Sequence, residues 1–420
     1  MKLKLILLSA AIALNAAALT GCSSEEGAPA DDGAGTTTTT STTTTTASTT
    51  TSESADDKEE ENAATTTETE ETEPEEPKIE FVDAAEDEFE YQYDAALGGL
   101  IVTKYTGSET YIRIPKEIDG DIVMAVKIGT PFEFAIPDGV TEIGEKLFEN
   151  SGLVSITIPD SVTAIKSSAF AKCNNLTSID IPDSVTSIGV RAFWSCTNLA
   201  EITIPDSVTA IGGYAFQMCS ALTELTIPGS VKSIGKCAFQ MCSALTEITI
   251  SSGVTSIGSS AFEGCNSLTS ITIPDSVETI GSDHTFSNCI ALESIDLPDS
   301  VTFIYDGIYT NSNEENTLVD TFYNCKSLKS ITIPSSVTII GAGVFADCTS
   351  LKEVILPNGL ESIGNDAFAN CSNLRSMTLP DSIKRVIGAF NGCDALTVTY
   401  KGQEYNHSNW KDLENAVKNG

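Results

Sequence analysis

The chain is 420 residues long, carries a formal net charge of −36 at pH 7 and contains only two histidines, His284 and His407. A surface this acidic repels nucleic acid and anionic lipid, which argues against direct binding to either. Two histidines leave little for acid–base or metal chemistry, and a hydrolytic triad needs a histidine near both a nucleophile and an orienting acid. No phosphate-binding glycine motif is present. We therefore expect no enzyme, no metal and no cofactor.

The first 21 residues have the composition of an export signal. Lys2 and Lys4 precede an apolar run over 5–14, and small residues follow up to Cys22. A positive start, a short apolar core and a small-residue exit are typical of a secretory signal, not of a membrane span. Leu19-Thr20-Gly21-Cys22 resembles the lipobox of bacterial lipoproteins, which implies that Cys22 becomes the lipidated first residue of the mature chain. The alternative is an ordinary cleaved signal with a chance cysteine.

Residues 22–78 are predicted to form a disordered stalk rich in Thr and Glu. Positions 36–51 are nearly all Thr and Ser, and positions 23–78 carry sixteen Asp and Glu against two Lys. Such a segment cannot bury apolar surface, so its ordering entropy is not offset. Because two acyl chains anchor a protein stably, the stalk is expected to hold an exported domain away from the outer face of a bacterial membrane. This lipid anchor is the one membrane contact that we expect.

A repeat of 22 to 24 residues begins beyond the stalk, with the unit I-x-I-P-D-S-V-T-x-I-G-x-x-A-F-x-x-C-x-x-L. A period of this length indicates a solenoid. The phenylalanine position of the unit recurs with the same irregular steps as its proline position, including one step of 36 residues. The phenylalanines are Phe148, Phe170, Phe193, Phe216, Phe239, Phe262, Phe286, Phe322, Phe345, Phe368 and Phe390.

The unit from Leu176 to Leu199 shows how one repeat folds. Ile179 and Ile181 lie at strand-like spacing, and Pro182 ends the strand because it cannot donate to a ladder. A turn follows, and the segment around Phe193 is predicted to form a short helical turn. One unit cannot bury its apolar set alone, so the units must stack. The sequence predicts an α+β solenoid of about 12 coils, with short strands on one face and short helical turns on the other.

This unit resembles the BspA-type leucine-rich repeat of bacterial surface proteins, whose A-F-x-x-C segment appears here at Phe193 with Cys196 and at Phe262 with Cys265. The resemblance covers about residues 97–400. It implies an N-terminal cap with a degenerate first repeat over 79–135, a leucine-rich repeat solenoid over 136–395 and a C-terminal cap over 396–420. In the last of these segments Trp410, Leu413 and Val417 lie at helical spacing.

The resemblance implies a surface-displayed adhesin that binds an extracellular protein or polysaccharide, of host or matrix origin, through exposed solenoid residues. The alternative is a structural or assembly scaffold of the bacterial cell envelope that binds another envelope protein. The family does not specify a ligand.

Eleven cysteines follow Cys22, and ten of them occupy the repeat position of Cys196. No C-x-x-C or Cys/His pair points to a metal site. Stacked coils would place neighbouring cysteines within bridging distance, but their parallel Cβ directions disfavour disulfides, so we expect buried thiols. Cys237 lies outside this row and is predicted to be the exposed or reactive thiol.

Two polar rows run along the solenoid. An Asp follows most of the repeat prolines, which is ordinary turn chemistry; a row of calcium-binding carboxylates is the alternative. A Thr recurs on the predicted strands, because Thr suits a pleated surface, and a regular Thr array could instead bind an ordered ligand such as a polysaccharide or ice.

Aromatic residues mark two candidate contact sites. The 36-residue step contains an insertion over 304–317 with Tyr305 and Tyr309, and insertions in solenoids project as loops that often bind ligands. Trp194 and Tyr214 form a second candidate patch near the phenylalanine row. The alternatives are a tolerated surface insertion and partial burial beside the core.

Overall fold

The computed structural model describes residues 81–95, 98–281, 284–301 and 321–419. The predicted signal, Cys22, the predicted stalk and the insertion with Tyr305 and Tyr309 lie outside these residues. The chain from Pro74 to Gly420 forms one compact unit. Within the described part, no helix combines the length and the apolar character that crossing a membrane would require.

The N-terminal part of this unit contains seven strands and a 3-10 helix over Glu86–Glu88. The strands are β1 (Val82–Asp83), β2 (Phe89–Asp94), β3 (Gly99–Tyr105), β4 (Ile112–Arg113), β5 (Glu117–Ile118), β6 (Asp121–Val126) and β7 (Phe132–Ala135). Four of them form a mixed sheet in the order β2-β3-β6-β5, while β1, β4 and β7 open the parallel stack that the repeats continue.

Each repeat contributes one strand to an outer row, which we call the strand face. The strands pair in parallel with their equivalents in neighbouring coils, so that Glu224 lies opposite Glu247 and Thr226 opposite Thr249. The strands are β9 (Leu153–Thr157), β11 (Ser178–Ile179), β13 (Glu201–Ile202), β15 (Glu224–Ile227), β17 (Glu247–Ile250), β19 (Ser270–Thr272), β21 (Ser294–Asp296), β22 (Ser330–Thr332), β24 (Glu353–Ile355), β26 (Ser376–Thr378) and β28 (Thr397–Tyr400). A final antiparallel strand, β29 (Gln403–Tyr405), pairs with β28.

After the proline turn, ten of the described coils form a second, shorter strand that also pairs in parallel with its neighbours. Its second residue is an isoleucine or valine that points into the core, for example Ile188 and Ile211. These strands are β8 (Glu142–Ile143), β10 (Ala164–Ile165), β12 (Ser187–Ile188), β14 (Ala210–Ile211), β16 (Ser233–Ile234), β18 (Ser256–Ile257), β20 (Thr279–Ile280), β23 (Ile339–Ile340), β25 (Ser362–Ile363) and β27 (Arg385–Val386).

The third side of the coil, around the phenylalanine, consists of turns, and we call it the turn side. The predicted short helical turns are wrong there, and the architecture is a β-solenoid of about 12 turns. Two residues per coil have positive φ, as at Arg191 (56°) and Ser195 (59°), which interrupts any helix. Their N–H groups donate to the next coil, at 2.9 Å to Gly213 O and 2.7 Å to Gln217 O. The turn side is therefore a further inter-coil ladder.

The phenylalanines form a continuous buried column. From Phe148 to Phe390 consecutive ring centroids lie 5.2 to 5.9 Å apart, with interplanar angles of 18° or less. The column continues across the 36-residue step, because Phe286 and Phe322 stack at 5.4 Å. The coils on either side of the insertion are therefore direct neighbours.

A C-terminal helix, α1 (Trp410–Asn419), covers the last coil. Leu413 and Val417 are buried, as their helical spacing predicts, and Trp410 packs on Phe390 with ring centroids 5.2 Å apart. The Glu414 carboxylate accepts a hydrogen bond of 2.7 Å from the Gly388 N–H. The helix therefore shields the end of the phenyl column from water.

Candidate ligand-binding faces

The strand face is a polar, exposed surface of hydroxyl and carboxylate groups. The Thr row predicted from the sequence lies in register, as at Thr226, Thr249 and Thr272, and these side chains are exposed. A shallow groove of about 460 Å³ crosses this face between Ile202 and Ser251. Such a surface offers many hydrogen-bonding groups to a ligand but no large aromatic side chain within the groove.

Carboxylates stack along the same face. Glu201, Glu224 and Glu247 occupy equivalent positions in three consecutive coils, and all three are exposed. Like charges that face each other across strands repel, so an exposed row of this kind is tolerated mainly through solvent screening. Among the residues that the structure describes, no group of three His, Cys, Asp or Glu side chains is arranged to hold a metal ion.

One turn aspartate, Asp299, bonds to the next coil. Asp299 Oδ1 accepts hydrogen bonds of 2.8 Å from both the N–H and the hydroxyl of Ser335 in the next coil. These bonds hold the pKa of the Asp299 carboxyl below its ordinary value. They give this turn carboxylate a structural role, in accordance with the turn chemistry predicted from the sequence.

The ten repeat cysteines are buried thiols in a single row on the turn side. Their thiols donate to the phenylalanine carbonyl of the preceding coil, for example from Cys219 Sγ to Phe193 O at 3.3 Å. Burial raises the pKa of Cys173 to about 11 and that of Cys242 to about 12. Cys173 and Cys242 are therefore hydrogen-bond donors inside the core, not nucleophiles.

The prediction that Cys237 is an exposed thiol is wrong. Its side chain is fully buried, although it lies at the positive-φ position where Arg191 and Lys146 are exposed. Ser168 and Ser260 occupy the same position and are also buried. Cysteine and serine at this position are thus buried, whereas Arg191 and Lys146 reach solvent.

Trp194 and Tyr214, predicted as an aromatic patch, lie on the turn side of adjacent coils and are half-buried. The ring of each contacts a cationic side chain of the preceding coil. The Lys172 Nζ lies 4.9 Å from the Trp194 ring centroid, and the Arg191 guanidinium lies 5.2 Å from the Tyr214 centroid. The structure thus brings the two aromatics into one surface with two cations, and both cation–π pairs join consecutive coils.

Sequence reasoning overlooked Lys172 and Arg191. Their residue types alone carry no signal, because surface cations are common. The signal lies in the repeat register: Lys172 follows Phe170 by two residues, and Trp194 follows Phe193 by one, which places them side by side in neighbouring coils. Alignment of the repeats on the phenylalanines would have revealed the pair.

The two histidines lie apart. His284 has positive φ (50°) and is half-buried on the turn side, at the same repeat position as buried Ser260. His407 is exposed and borders a cleft of about 480 Å³ between the last coil and α1, together with Asn391 and Trp410. The two histidines therefore do not belong to one site.

Comparison with known proteins identifies the repeat. Six copies of the model for the BspA type leucine rich repeat region match over residues 132–245, 209–318 and 315–407. No curated protein matches the chain. A crystal structure of a leucine-rich repeat protein from Bacteroides ovatus is similar with 27% identity, a TM-score of 0.57 and coverage of 75% of this chain and 88% of that one.

A leucine rich cell surface protein from Faecalibacterium prausnitzii is 28% identical, with a TM-score of 0.44, over 77% of this chain and 95% of its own. A leucine-rich repeat protein from Eubacterium ventriosum is 24% identical, with a TM-score of 0.41, over 74% of this chain and 92% of its own.

Proposed function

Because the chain belongs to the BspA-type leucine-rich repeat family, a family of surface proteins, we propose that it is a non-enzymatic binding protein displayed on a bacterial surface. In this proposal it acts as an adhesin that recognises a host, matrix or polysaccharide ligand. The observation that carries the proposal is the rigid stack of about 12 coils, whose interior is uniform while its exposed residues vary. A rigid surface loses little entropy on binding.

The proposal places the chain outside the cell, held by a lipid on Cys22. Support comes from the order of the N-terminal features in the sequence: cations, a short apolar run and a lipobox-like exit. Many anchored copies would add avidity to weak single contacts. Incorporation of an alkyne-tagged fatty acid by the wild-type chain, and its loss in Cys22→Ser, is the expected result. Equal labelling of both chains would refute the anchor.

The adhesin role is tested with the unit from Pro74 to Gly420, applied to arrays of extracellular matrix proteins, mucins and polysaccharides. Saturable binding to an array component is expected. The competing role is a scaffold that holds another envelope protein. If the array stays empty while the same unit retains an envelope protein from the cell's own membranes, the scaffold role replaces the adhesin role.

The insertion over 304–317 remains our candidate contact segment, with Tyr305 and Tyr309 as its aromatic residues. Phe286 and Phe322 stack directly, so the insertion can be removed without opening the core. Deletion of these 14 residues shortens the 36-residue step to 22, which is a normal repeat length in this chain. A tenfold or greater loss of binding is expected; unchanged binding would exclude the insertion as the contact segment.

A further inference from the structure

The turn side of four consecutive coils forms a surface that we name the basic-aromatic patch: Lys172, Arg191, Trp194, Tyr214 and Lys236. Arg191 and Lys236 are exposed, and the other three side chains are half-buried. Apolar surface accompanies them, since Val190 is 47% and Met218 is 38% exposed. Cations, aromatic rings and exposed aliphatic groups thus share one face of the solenoid.

This patch is free of acidic residues in a strongly acidic chain. The turn-side segments 166–177, 189–200, 212–223 and 235–246 contain no Asp or Glu. The equivalent segments of the two flanking coils do contain acidic residues, Glu149 on one side and Glu263 on the other. The acidic residues of the same four coils lie elsewhere, such as Glu224 on the strand face. The coils therefore present opposite charges on two of their sides.

The cations of the patch are not neutralised by acidic side chains. Lys172 and Arg191 rest on the rings of Trp194 and Tyr214, at 4.9 and 5.2 Å. Within the described residues neither of them, nor Lys236, forms a salt bridge. Lysines elsewhere are paired across coils, as Lys329 is with Glu293 and Lys384 with Glu361. Cations held by a ring lose less side-chain freedom when an anion binds.

We propose that the basic-aromatic patch binds an anionic polysaccharide, with sulfate or uronate groups on the cations and sugar rings against the aromatic and aliphatic side chains. The proposal rests on the binding role proposed above and names its ligand class. Arg191 and Lys236 lie two coils apart, a separation of about 10 Å at the spacing of parallel strands. A polymer that turns one anion per disaccharide toward the patch matches such a spacing.

An acidic polypeptide fits the same surface less well. Extended peptides bind sheets by pairing with free main-chain groups, but the main chain of the patch already bonds between coils. The Lys172 N–H donates to Trp194 O at 2.7 Å, and the Tyr214 N–H donates to Lys236 O at 2.7 Å. Only side chains are available to a ligand. A polysaccharide that presents its anions and C–H surfaces outward can contact these side chains directly.

The test measures binding of the unit from Pro74 to Gly420 to four immobilised polymers: dextran sulfate, polygalacturonate, neutral dextran and poly-glutamate. We expect binding to the sulfated or the uronate polymer, weakening steeply with added salt. Lys172→Gln, Arg191→Gln and Lys236→Gln together should weaken it at least about tenfold, since three charge-assisted contacts are lost.

The matched control removes three exposed cations from coils outside the patch, with Lys326→Gln, Lys352→Gln and Arg375→Gln. Both variants lose the same charge, so binding by net charge alone would weaken equally in the two. We expect the control to stay within about twofold of the wild type. An equal denaturation midpoint in all three proteins shows that the fold is retained. A second variant, Trp194→Ala, should also bind more weakly than the wild type, although its net charge is unchanged.

Four results would overturn the inference: equal loss in the patch variant and the control, binding to neutral dextran as tight as to the charged polymers, equal binding to poly-glutamate, or no binding to dextran sulfate and none to polygalacturonate. Binding of that same unit to a matrix protein on the arrays would in that case still uphold the adhesin role, so the two failures are distinguishable.

Discussion

The strand face and the turn side of the same coils use different means to stack. On the strand face, ordinary parallel pairing joins residue to equivalent residue, as Glu224 to Glu247. On the turn side, coils join through N–H groups of positive-φ residues and through thiols that reach carbonyls, such as Cys242 Sγ to Phe216 O at 3.2 Å. Regular pairing accepts any residue that suits a strand, whereas the turn side requires particular side chains.

The glycines that precede the turn side illustrate the difference. A Cβ on Gly235 would lie 2.5 Å from the Gly213 nitrogen and 2.6 Å from the Gly212 carbonyl carbon of the preceding coil. Gly189, Gly258 and Gly281 are crowded in the same way. At this corner the backbones of neighbouring coils are in close contact, and we infer that this contact sets the spacing between coils. We infer that the exposed residues of the strand face can vary because the close contact at this glycine corner limits how near the coils approach.

The largest expected effect concerns the buried thiols and pH. Burial raises the pKa of Cys242 and Cys289 to about 12, from an ordinary value near 9, and raises that of five other repeat cysteines. The unfolded chain loses these protons first, so the folded state holds more of them above pH 9. Stability is therefore fully present below about pH 8. It falls between pH 9 and 12, with a slope near 1.4 kcal/mol per pH unit for each thiol.

Urea midpoints measured from pH 7 to 10.5 check this expectation. Cys242→Ser with Cys289→Ser should reduce the alkaline slope, because each substitution removes one shifted group. The strand-face variant Thr249→Ser carries no titratable group and serves as the control. An alkaline slope that is the same in the cysteine variant and in the wild type would contradict the assignment.

The next effect concerns the phenyl column. Phe216 stacks on Phe193 at 5.2 Å and on Phe239 at 5.4 Å, and all three are fully buried. Phe216→Ala leaves a cavity between two coils and should lower the free energy of unfolding by about 3–5 kcal/mol. Thr226→Ala, on the exposed strand face of the adjoining segment, should change it by less than about 0.5 kcal/mol. Denaturant titration of both variants compares the two sides of the solenoid directly. Similar losses would remove the distinction between them.

A smaller effect is expected for the crowded corner. Gly235→Ala forces the backbone of two coils apart and should destabilise the unit by about 1–3 kcal/mol. Gly359→Ala is the matched control, because its nearest neighbour would be Ser335 O at 3.9 Å and its φ is not positive. We expect Gly359→Ala to be neutral within about 0.5 kcal/mol. A neutral Gly235→Ala in the same denaturation series would show that this corner does not set the spacing.

The sequence predicted the stack because its signals are periodic. Proline and phenylalanine recur with shared steps, and burial of every repeat phenylalanine from Phe148 onward confirms the reading. The backbone of the turn side was not predictable in this way. Positive φ is signalled by Gly or Asn, yet this chain places Arg191, Tyr214 and Cys237 there. Bonds to the neighbouring coil over-determine the conformation, and local preference does not reveal them.

The candidate faces were predictable only in part. Trp194 and Tyr214 attract notice because aromatic residues are rare outside the phenylalanine row. Their partners Lys172 and Arg191 became visible only when the coils were in register, since each contact joins residues 22 or 23 positions apart. Contacts of that separation follow from the fold and not from local sequence.

The smallest effect tests whether the cations of the turn side are truly held by the rings. Lys172→Ala and Trp194→Ala, alone and together, form a double-mutant cycle across one pair, and Arg191→Ala with Tyr214→Ala forms a second cycle. We expect a coupling energy of about 0.5–1 kcal/mol in each, the range for exposed cation–π pairs. Crossing the pairs, Lys172→Ala with Tyr214→Ala, supplies a control that joins residues two coils apart, and its coupling should be near zero. Because the rings contact cations of the preceding coil, a real coupling means that the variable side chains of this face also stabilise the stack, in contrast to the Thr row of the strand face. If both cycles show zero coupling, the exposed side chains of the turn side do not stabilise the stack. Only its buried residues would then distinguish the turn side from the strand face.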